Sequence, residues 1–466
     1  MRTAKNMATA SKTRRLDCGA DRISNLPTLL LDAILIRLPV RDAARTSILS
    51  TTWRNIWGTH PNLIFDDNFF SQLVSKKDKQ SQLFEAVKAV NDILLLHTGP
   101  VLNFLLFIPP DLPLNECIET DFWIKNISNN EVRNFKLLNA QEIPYTMPSY
   151  LFSCFKLNDL TLGYCILKPP LRFGGFFLLE SVRLMKVIIT ADISFGPKLE
   201  QLIMECCIGI KHLGCLFKNH SNLSILIIYS GDIDWKLFEC TQKVHLISLS
   251  LKKVTDPREK IVNLEGFVGS MPKMNNLLVD DLFLKSLKPA STIPEMLTTK
   301  MENLKYLYFA GVGFHDLVQI KYVLCLIRSS PNLQYLSMGP VCDEKLRTEA
   351  GVGLTYFVGA KNPIGNSRSG LDSEAVSKNS GKSVEKYLQL PIRDMLLDKL
   401  QTVDISGMVG STAELRFIKL MLVSSPSLEI MSLGFSSATD EEVRSRISRE
   451  LFQFNRCAST TVELIM

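Results

Sequence analysis

From about residue 100 onward one short apolar pattern returns along the chain, and it limits the possible folds more than any other feature. An apolar residue is followed after two variable positions by a second, and after one more by a third. Leu102, Leu105 and Phe107 open the series, and Val132, Phe135 and Leu137 follow. Then come Leu157, Leu160 and Leu162 with Cys165; Leu179, Val182 and Leu184; and Leu199, Leu202 and Met204 with Cys207. Leu223, Leu226 and Ile228 are next, then Leu246, Leu249 and Leu251, then Met274, Leu277 and Val279. Leu304, Leu307 and Phe309 precede Leu333, Leu336 and Met338. Start-to-start spacings are 30, 25, 22, 20, 24, 23, 28, 30 and 29 residues. Each unit supplies one short strand whose three apolar residues point to a core. One unit cannot cover its own apolar face, so the units must stack without a gap. Cys165 and Cys207 fall just after their strands, where a buried side chain satisfies turn backbone, which marks them as structural thiols rather than reactive ones. The return segments are mixed. Residues 318–328 carry a helical period, whereas residues 168–177, with Pro169 and Pro170, cannot form regular helix. The expected arc is uneven in curvature.

The series breaks after Met338. Residues 356–386 are rich in Gly, Ser, Asn and Lys and show little apolar period, so residues 346–388 read as a flexible polar insert. The pattern resumes with Leu400, Val403 and Ile405. Residues 414–423 read as a helix with Leu415, Ile418 and Leu422 on one face, ended by Ser424-Ser425-Pro426, and Leu428, Met431 and Leu433 make the next strand. The same order of strand, helix, Ser329-Ser330-Pro331 and strand occurs 95 residues earlier. Thr439-Asp440-Glu441-Glu442 reads as a capping box that starts a helix to about Phe454, and residues 461–465 offer a last strand.

The N-terminal stretch has a different character. Pro27 suits the start of a helix in which Leu30, Ile34 and Leu38 recur, with Leu31 and Leu35 broadening the stripe. Pro39 stops it. Residues 40–46 form a second short helix, and residues 50–57 a third with Trp53 and Trp57 on one face. So short a segment cannot bury enough surface alone, so some of its apolar residues must meet a partner or the following domain. Residues 71–97 read as a helix with Phe84, Val87, Val90 and Leu94 buried, linking this segment to the repeats.

Net charge is +6, and the first 22 residues hold +4 of it, six Lys or Arg against two Asp. The remainder is nearly balanced, which argues against a nucleic-acid surface. Residues 1–20 read as a disordered basic arm. Lys12, Arg14 and Arg15 fit a fragment of a nuclear-import signal, although clusters of that size are common by chance. Met1 to Ala20 lacks the apolar core of a secretory signal. The eleven cysteines contain no C-x-x-C pair, and reduced thiols in a nuclear or cytoplasmic protein are expected. No apolar run reaches the roughly 18 residues of a membrane span. The chain holds no H-E-x-x-H, G-x-S-x-G, P-loop or G-x-G-x-x-G. His212 and His220 are eight residues apart and read as surface residues rather than metal ligands. No catalytic residue, metal or cofactor is assigned.

Asp21-Arg22-Ile23-Ser24-Asn25-Leu26-Pro27, a second Leu-Pro at Leu38-Pro39, the Ser-rich junction at Ser47 and Ser50, and Trp53-Arg54-Asn55-Ile56-Trp57 occur in F-box order. This stretch resembles an F-box. The repeat period is that of leucine-rich repeats. Glu414-Leu415-Arg416-Phe417-Ile418-Lys419, Ser425-Pro426-Ser427-Leu428-Glu429-Ile430-Met431 and the tail Phe452-Gln453-Phe454-Asn455-Arg456-Cys457-Ala458-Ser459 are similar to the FBD domain. The chain therefore resembles a plant F-box/FBD/LRR-repeat protein. The resemblance implies an α/β architecture: a three-helix F-box (21–66), a linker helix (67–99), an irregular leucine-rich-repeat solenoid (100–345), and, after the insert, an FBD-type α/β segment (389–466) as cap.

It also implies a substrate receptor of an SCF-type ubiquitin ligase, with no catalytic group of its own. The F-box would hold a Skp-type adaptor, and through it cullin and RING subunits, while the repeats hold a protein target. Adaptor contact is assigned to Ile23, Leu26, Pro27, Leu30, Ile34, Leu35, Leu38, Pro39, Leu49, Trp53 and Trp57. Two other readings stay open. One is a repeat-based binder not engaged in a ligase. The other is a ligand-dependent receptor of the F-box/LRR type, which needs a pocket of convergent polar groups that the sequence does not mark.

Overall fold

The structure, a computed structural model, describes residues 23, 26–73, 78–210, 222–230, 242–251, 264–287, 293–340, 378–389, 395–437, 439–452 and 460–465. The basic arm, most of the polar insert and the tail from Gln453 to Ser459 lie outside the described residues. The chain forms two compact units, Met1–Leu105 and Leu106–Met466.

In unit 1, Pro27 stands in extended backbone just before helix α1 (Thr28–Leu35), and its carbonyl accepts from the Leu30 and Leu31 amides at 2.8 and 3.2 Å. Pro39 does the same for α2 (Val40–Arg45), accepting from Ala43 at 2.9 Å. Ser50 caps α3 (Thr51–Gly58) by accepting from the Trp53 amide at 3.3 Å. Strand β1 (Asn62–Phe65) leads to α4 (Asp67–Ser71), capped by Asp66 at 2.9 Å, and α5 (Lys79–Leu96) is capped by Asp78 at 3.1 Å. The expected helix over 71–97 therefore starts later than the sequence suggests. Its buried residues are Ala86, Val90, Ile93 and Leu94, a face at i, i+4, i+7 and i+8 that turns Phe84 to the opposite side, 65% exposed.

Trp57 is the centre of this unit's core. Its ring stacks on His60 at 5.9 Å and meets His97 edge-on at 6.4 Å. Nε2 of His97 donates to the His60 carbonyl at 2.6 Å, since a carbonyl can only accept. Burial holds both imidazoles below their ordinary value of 6.5. For His60 the neighbouring His97 adds to the lowering and Asp32 opposes it; for His97 the bond to the His60 carbonyl opposes it. The Trp57 indole N–H is buried and has no hydrogen-bond partner among the described residues.

Strand β2 (Asn103–Ile108) runs across the unit boundary. It buries Phe104, Leu106 and Ile108, and Val101 is buried before it. The first pattern is thus Val101, Phe104 and Leu106, one residue earlier than the Leu102, Leu105 and Phe107 read from the sequence. Both sets are apolar in this run, and a slip of one residue exchanges the two faces of a strand.

Unit 2 continues with α6 (Ile118–Ser128), β3 (Asn134–Asn139), β4 (Tyr145–Thr146), β5 (Asp159–Gly163), β6 (Cys165–Leu167), β7 (Ser181–Met185), β8 (Ile188–Ile189) and β9 (Gln201–Glu205). Then come β10 (Ile225–Ser230), β11 (Leu246–Leu251), α7 (Leu264–Gly269), β12 (Asn276–Asp280), α8 (Asp281–Ser286), β13 (Tyr306–Ala310), α9 (Leu317–Arg328) and β14 (Tyr335–Gly339). After them follow α10 (Lys378–Gln389), β15 (Thr402–Met408), α11 (Thr412–Ser424), β16 (Ile430–Phe435), α12 (Glu441–Phe452) and β17 (Thr461–Ile465).

Strands β3, β5, β7 and β9 to β17 pair in that order, all parallel, so the unit is mixed α/β around one large parallel sheet. Their registers are in phase. Phe135, Leu160, Val182, Leu202, Leu226, Ile247, Leu277, Leu307, Leu336, Val403 and Met431 form one buried row from strand to strand. A second row runs two residues later, from Leu137 to Leu433. In β11 the residues in these rows are Ile247 and Leu249, preceded by buried Val244. The pattern read as Leu246, Leu249 and Leu251 is therefore two residues late, because Leu251 extends an already apolar run. A shorter parallel sheet, β4-β6-β8, lies beyond the first turns.

Those turns repeat as well. Tyr164, Lys186 and Cys206 each follow a strand in the left-handed region, at φ 51°, 54° and 56°. Each donates its amide to the end of the next strand, to Met185, Glu205 and Tyr229 at 2.7, 2.7 and 2.5 Å. That bond offsets a backbone cost of about 1–2 kcal/mol for a residue with a Cβ. Cys165 and Cys207 come next, buried, with Sγ on the carbonyls of Gly163 at 3.2 Å and Leu184 at 3.4 Å. Burial raises both thiols, as expected of structural cysteines.

The C-terminal blocks differ from expectation in two places. The end of the polar insert is helical: Val384 and Leu388, one turn apart in α10, are buried, and the Glu385 carbonyl accepts from Arg416 at 2.6 Å. Helix α12 starts at Glu441, one residue later than a cap at Thr439 would place it, and the Thr439 hydroxyl donates to the Met408 carbonyl at 2.9 Å. A capping box is formed by Ser411 and Glu414, opening α11. In both Ser-Ser-Pro blocks the first serine's carbonyl accepts from a preceding segment, Met301 onto Ser329 and Leu397 onto Ser424, each at 2.8 Å.

Asp280 is 2% exposed, accepts from Ser250 Oγ at 2.7 Å and the Leu251 amide at 2.8 Å, and caps α8 through the Phe283 amide at 2.8 Å. Asp280→Ala should cost about 3 kcal/mol in urea unfolding, from a lost cap and two orphaned donors. Burial pushes the Asp280 carboxyl from 3.8 up to about 6. The folded state then binds more protons than the unfolded state in that interval. Asp280's contribution to stability should fall as pH rises from 3.8 to about 6, a slope that the Ala variant lacks. The two histidines act in the opposite direction. Their lowered values make unit 1 lose stability as pH falls below 6.5. Trp57→Ala should cost about 3–5 kcal/mol, and Trp57→Phe clearly less, since no hydrogen bond is lost with the indole N–H. Equal losses in the two variants would contradict this account of Trp57.

Candidate protein-interaction surface

Helix α1 carries more apolar surface than unit 1 covers. Leu31 and Leu35 are fully buried on one side. Leu29, Leu30, Ile34 and Ile36 are exposed on the other, Leu29 at 82%. At 3.6 residues per turn, these four with Ala33 sweep about 160° of the helix. Ile48 and Leu49, in the turn before α3, are exposed as well, Ile48 at 81%. The sequence builds this surface simply. The Leu-rich run of α1 is apolar nearly all round, while α3 offers it only one buried face, that of Trp53, Ile56 and Trp57. An exposed apolar face along one side of a helix is a candidate protein-interaction site.

The residues assigned to partner contact divide on this geometry. Ile23, Pro27, Leu30, Ile34, Pro39 and Leu49 are exposed, and Leu26 and Leu38 are partly covered. Leu35, Trp53 and Trp57 are buried in the unit's own core, so their part is to hold α1 against α3. Leu29, Ile36 and Ile48 were not singled out by sequence reasoning. The available signal was an excess of apolar residues in a short helix, more than one packing face can use.

Unit 2 presents a second surface, the sheet face opposite its apolar rows. Its middle row runs Lys136, Thr161, Arg183, Ile203, Ile227, Ser248, Leu278, Tyr308, Ser337, Asp404, Ser432 and Glu463. Ile203, Ile227 and Leu246 form a buried apolar cluster on it, with Ile225 and Tyr229 packed alongside. Tyr229 and Ser248 share a hydrogen bond of 2.9 Å. The row is thus charged at its start, apolar in the middle and aromatic toward β13 and β14.

Burial raises the thiols of Cys117, Cys154, Cys165, Cys207 and Cys325 rather than activating them. Among the described residues no group of three His, Cys, Asp or Glu side chains is placed to hold a metal ion. Among the same residues no helix is long and apolar enough to cross a membrane. A small cavity of about 180 Å³ lies at the carboxyl ends of β14 and β15, lined by Phe314, Met338, Met408 and Glu414 among others. The Glu414 carboxylate there is already engaged by the amides of Gly410 and Ser411, both at 2.7 Å.

Comparison with known proteins bears on both surfaces. Residues 23–65 match the F-box domain family. The F-box/FBD/LRR-repeat protein At1g13570 of Arabidopsis thaliana is 28% identical over 448 residues, covering 94% of this chain and 96% of that protein. Two further Arabidopsis proteins of the same description, At3g52680 and At5g56420, are 24% and 26% identical over 70% and 68% of this chain, and over 72% and 76% of their own lengths. The exposed arc of α1 falls inside the stretch that matches the F-box family. The chain thus carries a match to the F-box domain family at residues 23–65 and is similar over nearly its whole length to an F-box/FBD/LRR-repeat protein of Arabidopsis thaliana.

Proposed function

We propose that this protein is the substrate-recognition subunit of an SCF-type ubiquitin ligase. Its three N-terminal helices are a three-helix F-box that docks on a Skp-type adaptor, which in turn carries cullin and RING subunits. The strands of unit 2 are the leucine-rich-repeat solenoid that holds a protein target, with the FBD-type segment as its cap. The protein works where such a ligase works, in the nucleus, the cytoplasm or both. The observation that carries this reading is the uncovered apolar arc of α1 with Ile48 and Leu49, lying within the residues that match the F-box family.

The arc suits docking for a physical reason. Isolated exposed apolar side chains are ordinary, but a whole helix face is not, and burying it against a partner removes it from water. Leu26, Pro27, Leu30, Ile34, Leu38, Pro39 and Leu49 belong to this docking set, and Ile23 extends it. Leu35, Trp53 and Trp57 support it from beneath. The mechanism asks for no chemistry from the chain. A target held on the same body as the adaptor is presented to the conjugating enzyme at high effective concentration.

The double variant Leu30→Glu with Ile34→Glu charges the exposed arc and leaves the core residues of α1 in place. Co-purified with a plant Skp-type adaptor, it should lose adaptor binding while its circular dichroism and thermal unfolding stay close to those of the native chain. Adaptor recovery equal to that of the native chain would contradict the docking assignment.

A further inference from the structure

The helices that present the apolar arc also carry charge. Between Pro27 and Gly58 stand four arginines, Arg37, Arg41, Arg45 and Arg54, against two carboxylates, Asp32 and Asp42, a net charge of +2. Residues 59–105 hold five acidic side chains against four lysines. From Pro27 to Leu105 the positive charge is therefore gathered on the helices of the arc.

Two of these arginines belong to the arc by position. The backbone stays helical through Ile36, and the Arg37 amide donates to the Ile34 carbonyl at 3.2 Å. On the projection that spreads Leu29, Leu30, Ala33, Ile34 and Ile36 over about 160°, Arg37 falls near the middle of the sweep, one turn beyond Ala33 and Ile34. Arg37 is exposed, and among the described residues it makes no ion pair or side-chain hydrogen bond. Arg45 is its counterpart on the second patch. Arg45, Thr46 and Leu49 keep helical backbone, so Arg45 lies one turn before Ile48 and Leu49, at the i+3 and i+4 spacing. Its side chain is 62% exposed and pairs at 3.2 Å with Asp42, itself 45% exposed. Such a pair contributes little in water.

A partner that covers Leu30 and Ile34 takes Arg37 out of water with them. A guanidinium does not give up its proton, so once covered it needs an anion against it, and an unpaired one opposes binding strongly. Neither carboxylate of the arc helices supplies it. Asp32 acts on His60, and Asp42 is on Arg45. The compensating anion has to come from the partner.

We infer that the surface covering this arc is acidic: an apolar groove for Leu30, Ile34, Ile48 and Leu49, with Asp or Glu carboxylates set into it against Arg37 and at its rim against Arg45. The inference rests on reading these helices as the adaptor-docking helices, and it adds the chemistry of the adaptor's side. It makes Arg37 a specificity-determining residue, because a neutral or basic groove of the same shape would bury its charge unpaired. It makes Arg45 a residue that steers encounter.

The test is the binding kinetics of a purified plant Skp-type adaptor on the immobilised full chain. Raising salt from about 50 to about 500 mM should slow association about tenfold or more, because the attraction is screened. Arg37→Glu should weaken the complex about a hundredfold, chiefly through faster dissociation. Arg45→Glu should slow association with little change in dissociation. Lys88→Glu, the same change of charge at an exposed position of α5, should leave both rates as they are. Circular dichroism checks that each variant is folded, and the salt series needs no variant, so it decides the matter if Arg37→Glu does not fold. Association independent of salt, a folded Arg37→Glu that binds as the native chain does, or an equal loss in Lys88→Glu would overturn the acidic surface and leave the adaptor reading standing. No binding by the native chain at the lowest salt would overturn both.

Discussion

Each strand of the large sheet from β3 to β16 buries two side chains that one strand cannot cover, and the in-phase parallel ladder is what covers them. Leu160 lies against Phe135 and Val182 in the register, Leu162 against Leu137 and Leu184, and the same relation runs through to β16. A slip of one residue at any strand would turn both side chains out of the core and break the turns that follow. The left-handed residues Tyr164, Lys186 and Cys206 show the ladder acting on the backbone. Their conformation is held by an amide bond to the next strand's end, so each turn depends on its neighbour being in place. Stability of this kind is a sum of nearest-neighbour terms, and the face left over is free for recognition.

Unit 1 follows a different logic. Its core is compact and aromatic, with Trp57, Phe65, Phe69, Phe70 and Phe104 packed edge to face or against histidine. That core consumes one face of α1 and one of α3. The remaining apolar surface of α1 has no structural use within the unit. A protein that keeps four large aliphatic side chains in water on one short helix gains only if something covers them. The two surfaces are therefore of different kinds: an exposed apolar helix face, and a sheet face that mixes charged, apolar, polar and aromatic side chains.

Much of the fold was legible in the sequence because the apolar period was strict. The strands at Leu157, Leu179, Leu199, Leu223, Leu304, Leu333 and Leu428 fall where the pattern puts them, and so do helices α9 and α11. Legibility failed where the run was apolar on both faces. Val101 to Ile108 and Val244 to Leu251 offer more than one in-phase set; in the first Phe104 is the residue that is buried, and in the second pairing with β10 selects Ile247. Phe84 failed for another reason. Its helix has apolar residues on two sides, and the set at Ala86, Val90 and Ile93 won the core. On the α1 surface the sequence marked the right segment but not the division of labour, since exposure separates Leu30 and Ile34 from Leu35 and Trp57.

Amide hydrogen exchange on the full chain, with and without a purified plant Skp-type adaptor, locates the constant partner directly. The account predicts new protection in α1 and in the turn carrying Ile48 and Leu49, with the strands of unit 2 unchanged. Protection confined to the strands of unit 2, or none anywhere at saturating adaptor, would contradict it.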